Sequence, residues 1–341
     1  MSEMAESSPS IIIGLNAVII ALTEGQPRIL TVSLPEGTPI EGGGHVGDER
    51  GLRLLDALPT GPLDPAGDRT LELALRRWVR TYAGLELGYV EQLYTFADRF
   101  RDPRELDGGP RVVTAAYLAL VRESQPTDGL GARWRRVYGF LPWEDWRSGR
   151  PKVIDERITP ALERWVDESA NSSERDLRRA RAACFGLEDS PWDGERVLDR
   201  YELLYELGLV CEAVRDRVRE GQEVSRSGCE EHLGLEMEFD HRRILATALG
   251  RIRAKIRYRP VIFELIPETF TLLNLQRAVE ALAGVRLHKQ NFRRLVEQGG
   301  LVEGTGRRDH RTGGRPAELF RFRREVLLER PAPGVGLPTA R

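Results

Sequence analysis

Cysteine is scarce in this 341-residue chain: Cys184, Cys211 and Cys229, an odd number, widely spaced and with no C-x-x-C or Cys/His pairing. Neither a disulfide framework nor a structural zinc is indicated, and the three read as buried thiols. Long apolar runs are also lacking. The stretch Ile11-IIGLNAVIIAL is too short to cross a bilayer and reads as a buried strand. No signal peptide opens the chain, so a cytoplasmic protein with no membrane partner is expected. Net charge is nearly absent at −2, but its distribution is uneven. Residues 240–325 hold 19 Lys+Arg against 9 Asp+Glu, a net +10 that leaves −12 for the remainder. A basic module on an acidic body suggests a polyanion partner for the module alone, and a solvated charged face is the plain alternative.

What is present is a globular composition, 40% hydrophobic and 30% charged, long enough for two or three domains. Residues 1–9 are small and polar and are expected to be a disordered tail. Over 10–150, strands mix with one helix. Ile11–Leu22 and Arg28-ILTVSL flank the turn-like Glu24-GQP, so a hairpin is expected. Residues 35–50 form a Gly/Pro loop. Leu71–Tyr82 has helical spacing, with Leu71, Ala74, Leu75, Trp78 and Val79 on one face and Gly84 as its C-terminal glycine. Tyr89-VEQLYTF and Arg111-VVTAAYLALV are strands joined by the charged loop 98–110. Residues 151–240 are helical, broken at Ser190-PWDG and at 221–228. Residues 241–328 form the last folded piece, and 329–341 are Pro/Gly-rich and expected to be disordered.

The strongest motif lies in that last piece. Thr271 stands as an N-cap before Leu272, Leu275, Val279 and Leu282 in helical register, and Gly284 closes the helix. In the following helix Phe292, Leu295 and Val296 point inward. That leaves His288, Lys289, Gln290, Asn291, Arg293 and Arg294 outward, where Arg and Gln can read guanine or adenine edges. A Gly-rich hairpin follows with Arg307, Arg308, His310, Arg311 and Arg315. It suits a phosphate track or a minor groove. Phe320 and Phe322 share a strand face that would anchor it. Helix, short turn, basic helix and basic hairpin together form a winged helix-turn-helix, and double-stranded DNA is the expected partner.

Three weaker features have ordinary explanations. Gly42-GGHVGDE lacks the ending of a phosphate loop and reads as a plain loop. His232 and His241 lie nine apart with no carboxylate or cysteine logic. Asp155-ER and the acidic positions near Glu188 read as helix caps and faces.

The order strand, Gly/Pro loop, helix ending Ala83-Gly-Leu, YVEQLYTF, DRFRDPR loop and VVTAAYLALV resembles a Nudix domain. The segment FTLLNLQRAVEALAGVRLHKQNFRRLVEQGGLVEGTG, with GRPAELFRF after it, resembles the winged helix of the Nudix-related transcriptional regulators. ELGYVEQLYTFADR and RPVIFELIPETFTLLNLQ carry most of a similarity to the alphaproteobacterial branch that represses NAD biosynthesis genes. The helical stretch from about Asp155 to Leu235 is particular to that branch. The resemblance implies an α+β protein: a Nudix-like α/β/α sandwich, a helical linker or dimerisation segment, then a winged helix. It also implies a homodimer on a palindromic operator.

An active Nudix box runs Arg-Glu-apolar-x-Glu-Glu-x-Gly-apolar, and its glutamates hold the divalent metal that activates water. Here the box reads Arg77-WVRTYAGL. Arg77, Val79, Gly84 and Leu85 fit, but Trp78, Thr81 and Tyr82 stand at the three Glu positions, and Arg69 at the earlier one. The expectation is therefore a non-enzyme with no metal and no required cofactor. The resemblance implies NAD or ATP as effector, with ADP-ribose possible. An adenine nucleotide calls for aromatic faces and guanidiniums. Tyr82, Tyr94, Phe96, Arg77, Arg99, Arg101, Arg104 and Arg111 are the candidates; core packing and solvated surface charge are their alternatives. A Nudix hydrolase with relocated carboxylates at Glu72, Glu91 or Asp98 is one competing reading, and an RNA- or protein-binding winged helix is another.

Overall fold

The structure, a computed structural model, describes residues 11–35, 54–125, 131–187, 190–223, 233–310, 316–329 and 333–335. The loop at 36–53 with its Gly42 run, Cys229, His232, Arg311, Arg315 and the first nine residues lie outside the described residues. The chain forms two compact units. One contains residues up to Ile20, Ile29–Arg135 and Glu236–Leu245; the other contains Ala21–Arg28, Arg136–Leu235 and Ala246 onward. The expected boundaries at 150 and 240 are thus displaced. Fifteen residues placed with the first domain, 136–150, cluster with the second unit, as does the 21–28 hairpin tip.

The first unit is built on a mixed sheet. Its strands are β1 (Ile11–Thr23), β2 (Gln26–Pro35), β3 (Leu54–Ala57), β4 (Thr60–Pro62), β5 (Tyr89–Phe96), β6 (Arg111–Leu120) and β7 (Arg133–Arg136). The order is β3-β2-β1-β6-β5, with β4 also on β1 and β7 on β2. β1 and β6 run parallel from Ile11↔Arg111 to Ile20↔Leu120. A parallel central pair is buried on both faces, which is why β1 reads as an unbroken apolar run rather than an alternating one. The β1–β2 turn at Glu24 and Gly25 has φ 52° and 70°. Two consecutive positive φ values suit the right-handed twist of a tight hairpin. Helix α1 (Leu71–Ala83) is capped by the Thr70 side chain, which accepts from Leu73 N–H, and ends on left-handed Gly84. It buries Ala74, Leu75, Trp78 and Val79, the expected stripe apart from Leu71. Strands β3, β4 and β7 were not foreseen, because three or four residues are too few for an alternation to register.

The second unit is mainly helical. It holds α2 (Val137–Phe140), a 3-10 turn Pro142–Glu144, a π-turn Ile154–Ile158, α3 (Thr159–Asp167), α4 (Ser172–Ala182), α5 (Val197–Glu206) and α6 (Cys211–Arg219). After them come α7 (His241–Tyr258), which starts in the first unit, α8 (Leu272–Ala283), α9 (Lys289–Gln298) and α10 (Val326–Glu329). Strands β8 (Thr269–Phe270), β9 (Val302–Asp309) and β10 (Ala317–Phe322) make a three-stranded sheet in the order β8-β10-β9. The expectation of a wholly disordered tail fails at 333–335. Val335 is 1% exposed, and its N–H donates to Ile256 O at 2.9 Å. A Cβ on Gly334 would stand 2.2 Å from the Tyr258 nitrogen, so only glycine fits there.

Candidate functional site

The winged helix is built as its residues suggest. The Thr271 hydroxyl caps α8 by accepting from Asn274 N–H, and Gly284 ends the helix at φ 72°. Four residues later α9 begins. Its Phe292 and Val296 are buried, which turns His288, Lys289, Gln290, Asn291, Arg293 and Arg294 to the exposed side. Arg293 is not idle: its Nε lies 2.7 Å from Glu297 one turn on. The wing strands carry exposed Arg307 and Arg308, with Arg308 opposite Glu318 across the ladder. Gly306 is left-handed at φ 70°. The wing is held by Phe322, whose ring stacks on Phe263 at 4.3 Å, while Phe320 pairs across the ladder with Phe270 of β8. The anchoring expected of the two phenylalanines is therefore carried by a short strand and a 3-10 turn that sequence periodicity did not show.

The Nudix-like box lacks the carboxylates at its usual places. Trp78 is 6% exposed, and a Cβ built on Gly61 of β4 would fall 2.4 Å from its ring. An indole packed on Gly61 stands where the box has a carboxylate. Thr81 spends its hydroxyl on Arg77 O. The residues present do not fit a divalent cation. Of the relocated candidates, Glu72 pairs with Arg76 at 2.9 Å and Glu91 accepts from the Tyr89 hydroxyl at 2.6 Å, while Asp98 is exposed. Among the described residues no three His, Cys, Asp or Glu converge as a metal site requires.

The candidate nucleotide ligands separate. Arg101 is buried and forks onto Asp240 at 2.7 and 3.1 Å, with Thr114 as a further acceptor. Burial alone would raise the Asp240 carboxyl, but Arg101 outweighs it and holds it below the usual carboxylate range. Phe96 is 8% exposed and belongs to the core. These two are structural, since neither offers an open face or a free N–H fork. Arg104 wraps its own N-cap, Asp102, at 3.0 Å. Arg77 forks onto Asp68 at 2.7 and 2.9 Å, and Arg111 donates to Ala97 O at 2.6 Å. Tyr94 and Arg99 are exposed, and the Arg99 guanidinium lies 5.1 Å over the Phe100 ring. The backbone of Tyr82 lies on α1; its side chain is outside the described residues.

One cationic group was missed. Arg133 and Arg135 of β7 share the single carboxylate of Asp56 at 3.4 and 3.0 Å, and Thr31 donates to it at 2.8 Å. Two guanidiniums on one carboxylate leave a net positive spot on the sheet. The signal was in the sequence as Arg133-WRR, whose alternate arginines share a face in a strand.

Comparison with known proteins finds a family model for the winged helix. Residues 262–322 match the NrtR DNA-binding winged helix domain. They begin beside Phe263 and end on Phe322, the stacked pair that closes the wing. This part of the chain is similar to the winged helix of the NrtR regulators. A curated relative, the ADPR responsive transcriptional repressor NtrR of Acinetobacter baylyi, is 40% identical over 93 residues. That match covers 27% of this chain and 37% of the relative's length, little more than a third of it. Two crystal structures of Shewanella oneidensis NrtR, one with a 27mer DNA, align at TM-score 0.52 and 19% identity. They cover 92% of this chain and 94–95% of theirs. At that identity the likeness concerns the fold, a Nudix-like domain followed by a winged helix. No described helix is long and apolar enough to cross a membrane.

Proposed function

We propose that this chain is a repressor that reads a palindromic operator as a homodimer. Its Nudix-like domain senses an adenine nucleotide without hydrolysing it. The observation that carries this reading is the exposed row Lys289, Gln290, Asn291 and Arg294 on the second helix of an NrtR-type winged helix. A helix presenting such donors suits base edges in the major groove. The filled box, with Trp78 against Gly61, supports binding over hydrolysis. NAD and ATP are the effectors implied by the resemblance to regulators of NAD biosynthesis. ADP-ribose enters because the curated relative's name carries it. Arg99 and Tyr94, and the Arg133/Arg135 pair, supply phosphate donors and an aromatic face for any of the three. A cytoplasmic location accords with this role.

The mechanism is linkage: nucleotide binds one arrangement of the dimer better and so changes the spacing of two recognition helices. Half-sites one DNA turn apart tolerate little change in that spacing. The test is selection of duplexes from a random library by the full-length chain, then titration with ADP-ribose, NAD and ATP. A selected dyad sequence whose affinity one nucleotide changes at least tenfold is the expected result. Failure to prefer any sequence would overturn the reading, and turnover of any of the three with Mg²⁺ would replace it with the hydrolase. Preferential selection from an RNA library would favour the RNA-binding alternative.

A further inference from the structure

The turn between α8 and α9 is seated in a socket rather than left open. Gly284 carries no side chain because a Cβ there would meet Glu144 O at 2.4 Å and Arg253 at 2.5 Å. Its carbonyl accepts from Trp146 N–H at 2.7 Å. Two residues on, Arg286 donates through Nε to Arg147 O at 3.0 Å. On the inner side, Glu280 accepts from Leu287 N–H at 2.9 Å, and Gln276 donates to Leu287 O at 2.9 Å. The last carbonyls of α8 are capped by side chains, Ala281 O by the Tyr138 hydroxyl at 2.6 Å and Leu282 O by Arg253 at 3.1 Å. The turn that sets the start of α9 is thus held by segment 138–147, by Arg253 of α7 and by α8 itself.

Segment 138–147 is held in turn by Arg200 on Glu144, by Leu235 N–H on Gly139 O and, through Arg147, by the β1–β2 turn. Arg147 forks onto Asp145 at 2.7 and 2.8 Å and lies 5.1 Å over the Tyr138 ring. Its remaining N–H groups reach Gly25 O at 2.8 Å and Gln26 Oε1 at 2.9 Å, in the β1–β2 turn. That turn belongs to the same compact unit as the winged helix, whereas β1 itself begins in the Nudix-like unit. β1 is also a central strand of that sheet, flanked by β2 and β6.

We infer that Arg147 is a positioning residue that ties the β1–β2 turn to the turn before the recognition helix and so sets where α9 starts. The inference rests on the DNA-reading role proposed above. One guanidinium can do this because it is planar and carries five donors in a fixed fork. It spends two on Asp145, which orients it, and two on the hairpin turn, while its own backbone carbonyl receives Arg286. A lysine at 147 could not hold both partners at once. The hairpin turn is suited to anchor it because its two positive-φ residues fix its shape.

The test uses the full-length chain with Arg147→Ala and, separately, Arg286→Ala. Hydrogen exchange of 284–289 is read first, because it needs no DNA. In Arg147→Ala these amides are expected to exchange at least tenfold faster, while those of 275–280 keep their protection. Equal protection of the turn in both proteins would overturn the inference, whatever the chain binds. The second readout is the ratio of affinities for the selected duplex and a scrambled one. Both variants are expected to lower the affinity for the selected duplex about tenfold and leave the scrambled one unchanged. A plain loss of folded protein would lower both affinities together, and that result would also overturn the inference. If the wild-type chain distinguishes no duplex, the DNA-reading proposal fails and the exchange experiment alone decides the role of Arg147.

Discussion

On α9, Lys289, Gln290, Asn291 and Arg294 point to solvent, and Arg293 has a carboxylate within reach, Glu297. In the loop between β5 and β6 the cations are handled differently: Arg101 is given to Asp240, Arg104 to Asp102 and Arg111 to a backbone carbonyl. Both stretches are rich in arginine, and from sequence both read as anion sites. The difference shows what makes a cation available to a ligand. A guanidinium already desolvated against a buried carboxylate can be offered to a phosphate only by breaking that pair and leaving a buried charge behind. The α9 cations carry no such cost. For the proposed nucleotide, the exposed Arg99 is therefore a better candidate than Arg101.

The strongest test of this contrast removes a buried carboxylate. Glu144 accepts from Arg200 at 2.6 Å and Arg253 at 2.5 Å, and all three are at most 2% exposed. Glu144→Gln strands two guanidiniums and is expected to cost about 3–5 kcal/mol, read by urea denaturation. Burial alone would raise the Glu144 carboxyl, but the two arginines outweigh it and hold it below its usual value. A depressed carboxyl stabilises the fold above its unfolded pKa of about 4.3, and the contribution is lost as pH falls from there toward the folded value. Wild type should therefore lose stability on acidification below that point more steeply than Glu144→Gln. Parallel curves would show that the pair is not the acid-sensitive group.

Arg101→Ala is the next largest effect. It leaves Asp240 unpaired and is expected to lower stability by about 3 kcal/mol. Nucleotide affinity of the folded fraction, by calorimetry, should stay within about twofold, well under the factor of ten that 1.4 kcal/mol represents. A large loss of affinity would make Arg101 a ligand after all. On the other side of the comparison, Arg294→Ala should cost about 1–3 kcal/mol of binding to the selected duplex only. Its stability should change by less than about 0.5 kcal/mol. Lys289→Ala is expected to have the smallest effect: a uniform weakening across sequences, with the salt slope reduced by about 1.

The winged helix was legible because its signals are local. A cap at Thr271, a left-handed glycine at 284 and apolar residues at helical spacing all act within a turn or two of themselves. The parallel core of the Nudix-like sheet was legible for a related reason, since ten consecutive pairs of β1 and β6 force both runs to be apolar. The candidate nucleotide ligands were less so. Arg101 and its partner Asp240 are 139 residues apart, and nothing near Arg101 marks it as taken. Phe96 and Tyr94 look alike in the sequence and would share a face of a regular strand, yet a register shift between Gln92 and Thr95 breaks the alternation, and one is buried while the other is exposed.

By itself the sequence determined the order of elements, the basic row on α9 and the loss of the metal-binding glutamates, because residue type and short-range spacing decide each of them. Tertiary structure alone decided which arginines are spent internally, that Trp78 fills the vacated box against Gly61, and that Gly284 lies in a socket formed by Tyr138, Glu144 and Arg253. These last are pairings between segments far apart in the chain. The energy of a buried charge or a close contact depends on the partner that folding brings to it, and no local pattern records that partner.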